Sequence, residues 1–188
     1  MPSLLPLQEL NHLALRTMFI MMDECGPAAM AEAFGIADAD AACLGALWQQ
    51  GANPCVADLR CIVRPAFALQ EIVFRARVEP GLNANRPRAI NGLRLLHARY
   101  LDLALPSWRS RDAAAFLLYG IKPDFAAELQ SHPGLRAELE CSPVSWLHVR
   151  EDLVCAGKDA EQPAAVSVVF EAVGLEPATP SVSKHKEN

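Results

Sequence analysis

Much that would assign a function by inspection is missing from this chain. There is no Gly-rich phosphate loop, no H-E-x-x-H, no G-x-S-x-G and no carboxylate pair in a recognisable catalytic frame. Its six cysteines are irregularly spaced without a C-x-x-C, and its five histidines form no i,i+3 or i,i+4 pair with one another or with a cysteine. Structural zinc sites announce themselves by such spacing, so neither metal nor cofactor is expected, and the thiols read as reduced core and interface residues. The adjacent acids Asp23 and Glu24, and Glu151 and Asp152, read as solvated charges. An enzyme is not expected.

Other absences bound the environment. The apolar run from Leu13 to Met22 contains Arg16 and has no charged leader. No stretch reaches the roughly 18–20 apolar residues that span a bilayer, so a cytoplasmic protein is expected. The net charge is −5, which gives the whole molecule no electrostatic attraction for nucleic acid or membrane. Aromatic residues are only 6%, against 52% hydrophobic residues in all. That balance, rich in Ala, favours helices packed through small contacts.

What the chain does have is an internal repeat. AAMAEAFGIADADAACL (28–44) and AAAFLLYGIKPDFAAEL (113–129) align without a gap at a spacing of 85 residues. Gly35 matches Gly120, and His12 matches His97 at the same spacing. Each copy reads as a helix, a Gly-Ile turn and a second helix, so the repeat decides architecture before any motif does. Pro27 suits the first position of a helix, and Gly35 and Gly120 suit the place just past a helix end.

The expected fold is mainly all-α, with two tandem helical modules forming an intrachain pseudo-dimer. The modules are placed at 1–80 and 93–175, joined by an Arg-containing linker at 81–92 and followed by a tail, 176–188, with almost nothing to bury. Asp38 or Asp40 is expected to cap one helix, Asp112 another, and Pro106 to break the helix that carries Tyr100. Short segments near 56–63, 70–78, 144–149 and 165–171 are ambiguous by period. The first leans to helix, and all could be strand.

Two further patterns bear on partners. Ala31 and Gly35 have the spacing of a DNA-binding helix-turn-helix, but the second copy has Phe116 at the Ala position. The helices that would read DNA offer no Lys or Arg after their first residue, so packing is the better reading. Basic charge gathers between the modules instead, where Arg75, Arg77, Arg86 and Arg88 are candidates for contact with DNA phosphates or an acidic partner.

The second copy runs through Tyr100-Leu101-Asp102-Leu103-Ala104, Asp112, Gly120-Ile121, Ala126 with Leu129, Leu135 with Leu139, and Val149-Arg150. This succession resembles the flagellar transcriptional regulator FlhD family. The first copy follows it more loosely through Asp23, Gly35-Ile36, Ala41, Leu44, Leu47 and the closing LRCIVR of 59–64. The resemblance implies a homodimer-like assembly that joins an FlhC-like partner and meets DNA only through that complex. It also implies an interface thiol at Cys61, with Trp146 in the matching place of the second copy. PSWRS around Trp108 faintly resembles cytoplasmic sorting components of type III secretion or flagellar machinery, which gives the alternative of an accessory protein of such an apparatus.

Overall fold

The computed structural model describes residues 5–49, 60–78, 85–109 and 117–150. They form a mainly helical protein. In chain order the elements are α1 (Leu5–Cys25), α2 (Pro27–Phe34), α3 (Asp38–Gln49), β1 (Val63–Pro65) and α4 (Leu69–Val78). The second half follows with α5 (Pro87–Arg109), α6 (Pro123–Ser131), α7 (Pro133–Cys141) and β2 (Leu147–Val149). Among the described residues no helix is long and apolar enough to cross a membrane. The expected segment 165–171, the tail 176–188 and the Asp112 cap lie outside the described residues, as do 56–59.

Local chemistry explains the boundaries. Prolines open α2, α6 and α7, where a missing N–H leaves no bond unmade. Gly35 ends α2 in the left-handed conformation, with φ +62°. Its N–H bonds Glu32 O, and the Ile36 N–H reaches back to Ala31 O at 2.9 Å. Those two bonds satisfy carbonyls the helix end would otherwise leave open. Gly120 has the matching φ of +66°, directly after helical residues 117–119. α3 and α6 both begin 85 residues apart, at Asp38 and Pro123.

Asp38 and Asp40 lie inside the first turn of α3 rather than at its cap, where carboxylates face the positive end of the helix dipole. Pro106 does not break α5, which runs on to Arg109. The proline falls in the last turn, where few bonds remain to be lost, and Leu101, Ala104 and Leu105 are buried beside it. The helix also starts at Pro87, so half of the expected linker, 87–92, is its first turns. Residues 70–78 are helical, as part of α4; of the stretch 56–63, residues 60–62 are not helical and Val63 opens β1, against the helical leaning there.

The two long helices lie antiparallel and form the centre. Arg99 on α5 meets Glu9 near the start of α1, and Glu24 at the end of α1 accepts the Ala89 N–H at the start of α5, at 2.8 Å. Between these ends Thr17 Oγ1 lies 3.4 Å from Gly92 O, a close approach that the missing side chain of Gly92 allows. Their buried faces correspond at a spacing of 86, not 85: Leu7, Leu10, Leu15 and Phe19 match Leu93, Leu96, Leu101 and Leu105. His12 is therefore not the counterpart of His97. His12 is exposed, and the residue equivalent to the buried His97 is Asn11.

Candidate protein-interaction site at the module seam

The halves meet in an antiparallel pair of strands in which Val63 faces Val149, Arg64 faces His148 and Pro65 faces Leu147. Ala66 N donates to Trp146 O at 3.0 Å, and Arg150 N donates to Ile62 O at 2.9 Å. A pseudo-twofold axis through the Arg64–His148 pair interchanges these two bonds. Pro65 then occupies a pair that exchanges no backbone hydrogen bonds, so its missing donor is not needed. In this seam the repeat spacing is 84: residues 61–66 and 145–150 share one burial order, three buried then three half-buried.

The same axis relates the glycine turns. A Cβ on Gly120 would lie 2.9 Å from Arg64 Cβ, and one on Gly35 would run into the His148 ring. Each turn thus receives the axial residue of the other module, and only glycine leaves that space in a left-handed conformation. The repeated Gly-Ile elements are seats for the opposing strand.

Cys61 lies in this seam. Its N–H donates to Leu118 O of the second half at 2.7 Å, and its side chain is fully buried. Burial pushes the thiol up to about 12, against smaller opposing pulls from the Val63 backbone and Arg150. A disulfide needs an accessible thiolate, so linking Cys61 to another chain requires the seam to open. Its structural counterpart is Ser145 rather than Trp146, because the spacing here is 84. Ser145 Oγ donates to Leu147 O at 3.0 Å. Cys25, Cys61 and Cys141 are free.

The four candidate arginines belong to two elements. Arg75 on α4 is half-buried, with its guanidinium 4.0 Å from the Phe67 ring centroid and Nε 3.3 Å from Glu71. Arg86 and Arg88 are exposed at the start of α5, where Arg88 Nε is 3.9 Å from Glu24. The Arg77 side chain lies outside the described residues. Of the adjacent acids, Asp23 and Glu24 are not simply solvated: Asp23 accepts the Trp48 indole N–H at 3.1 Å, and Glu24 caps α5, while Glu151 and Asp152 lie outside the described residues. Neither role had a signal in the sequence, since both depend on which helix end α1 meets.

α4 leaves its own module and packs against α6 and α7 of the other, so the halves exchange contacts beyond the strands. On the outside, Phe74 of α4 and Leu117 before the second turn are 63% and 71% exposed, unusual for such large apolar groups. No group of three or more metal-ligating side chains occurs among the described residues. Comparisons with family models, curated proteins and solved structures gave no match to this chain.

Proposed function

We propose that the chain is a non-catalytic cytoplasmic regulator: a single-chain counterpart of an FlhD-type dimer that acts by binding an FlhC-like protein to control flagellar or related genes. The observation that carries this reading is the pseudo-twofold pairing of two helical modules through a shared two-stranded sheet. A symmetric helical pair with exposed Phe74 and Leu117 suits contact with another protein. The acidic net charge argues against strong binding to DNA alone. In a complex, Arg86 and Arg88, the exposed pair among the candidate arginines whose side chains are described, are available to phosphates.

The test is an affinity pull-down from the native host, followed by gel-shift titration with and without the recovered protein. Recovery of an FlhC-like protein and partner-dependent, salt-sensitive DNA binding are expected. Recovery of secretion or flagellar apparatus components instead would favour the accessory-protein alternative. Tight, sequence-specific binding by the isolated chain would overturn the proposal.

A further inference from the structure

Asn11 and His97 hold equivalent places on α1 and α5, and each serves the segment that enters its own module's strand. Asn11 Nδ2 donates to Arg60 O at 2.7 Å, and its Oδ1 accepts the Ile62 N–H at 2.9 Å. His97 has no such bonds. Both ring nitrogens are buried without a hydrogen-bond partner, and Leu139 O accepts the Trp146 indole N–H at 3.1 Å. The imidazole instead lies against the Trp146 ring, with centroids 4.9 Å apart and planes at 31°. Tyr100 and Phe125 enclose the same indole, at 5.7 Å and 6.1 Å.

We propose that His97 is an acid-sensitive latch: the neutral ring seats Trp146 and keeps β2 on β1, and protonation releases both. An imidazolium here would be a charge buried away from bulk solvent, with only the Leu139 carbonyl, already taken by the Trp146 indole, to offset it, and burial makes that strongly unfavourable. The ionisable and charged groups nearest along the surrounding elements are Arg94, Arg99, Tyr100 and Asp102 on α5, Glu9, His12 and Arg16 on α1, Asp124 and Glu128 on α6, Arg136, Glu138 and Glu140 on α7, and Cys61, His148 and Arg150 at the seam. None supplies a charge interaction at the ring. Arg136 is committed to Glu140, at 2.6 Å, and to Asp102.

Burial pushes the imidazole down to about 3, with a smaller upward pull from the Leu139 backbone. A released histidine titrates near 6.5. The latch is therefore at full strength above pH 6.5 and weakens as pH falls from 6.5 towards 3, because the open form takes up the proton first. Release of Trp146 would unseat Leu147 and His148, and with them the ring that fills the Gly35 turn.

NMR on the full chain tests this. Between about pH 6 and 4 the Trp146 indole N–H and the β2 amides should lose their native resonances while the α1 amides keep theirs. His97→Asn, which installs the first module's residue, and His97→Gln should shift that loss down by about one pH unit or more. Three results would overturn the latch. One is loss at the wild-type pH in either folded variant, and another is a native Trp146 signal persisting in wild type at pH 4. The third is His97 titrating near 6.5 with Trp146 still seated, which the wild type alone can reveal.

Discussion

Where the first module enters its strand, Asn11 makes two hydrogen bonds to the backbone of Arg60 and Ile62. At the same place in the second module, His97, Tyr100, Phe125 and Trp146 make a stack of rings. Tyr100 occupies the position of Ala14 in α1, and its hydroxyl donates to Tyr119 O at 2.7 Å. One half fixes its strand by direction and the other by volume. Hydrogen bonds impose register on few atoms, whereas buried rings tolerate small displacements but not loss of bulk. The two halves should therefore fail in different ways.

The largest difference should appear on removal of bulk. Trp146→Ala empties the centre of the second stack and should destabilise the protein by about 3–5 kcal/mol in urea titrations. Trp48→Ala should remove much less, because Trp48 is half-buried against Phe19 at the edge of the first module. Equal losses would mean that the ring stack does not hold the second half. Asn11→Ala comes next, leaving the Ile62 N–H and Arg60 O without their partner, at a cost of about 1–3 kcal/mol. Asn11→His would sharpen the contrast: without an indole to lie on, the imidazole should not restore what the amide supplied.

Alkali should weaken the first half's side of the seam as acid weakens the second. The Cys61 thiol titrates at about 12 when folded and at 9.0 when released. A raised acid pKa means its contribution is full below pH 9 and is lost as pH rises from 9 towards 12. By pH 10 that loss is about 1.4 kcal/mol. Denaturation curves at pH 8 and 10 should show a smaller drop for Cys61→Ser than for wild type.

The glycines were legible in the sequence and their purpose was not. The repeated Gly-Ile spacing located both left-handed turns, and the Ala-rich copies gave the helices around them. What the spacing could not show is that the repeat is not uniform. It is 86 in the long helices, 85 at the turns and 84 at the strands, because each shift re-aims a face without disturbing the helix order. A single ungapped alignment therefore paired His97 with an exposed histidine and Cys61 with Trp146. Asn11, the residue that clasps the first strand, carried no signal beyond a polar position on an apolar helix.

Two smaller effects complete the comparison. Gly120→Ala should cost about 1–2 kcal/mol from its positive φ alone. It should exceed Gly35→Ala, because Arg64 Cβ is fixed to the β1 backbone whereas the His148 ring can turn aside. Thermal melts of the two variants measure the difference. Arg99→Ala should change stability by no more than about 0.5 kcal/mol, since Arg99 and Glu9 form an exposed pair. A larger loss would mean that the ends of α1 and α5 are held by charge rather than by the buried face between them.

The axial pair of Arg64 and His148 has a consequence for how such a molecule can change. In an assembly of two identical chains, the residue on a twofold axis always meets itself, so every substitution there must be self-complementary. An arginine would have to tolerate an arginine. Here one chain supplies both sides, and two unlike residues face each other, one seated on Gly120 and the other on Gly35. Covalent linkage removes the requirement of self-complementarity, and each half is free to acquire a surface that the other does not share.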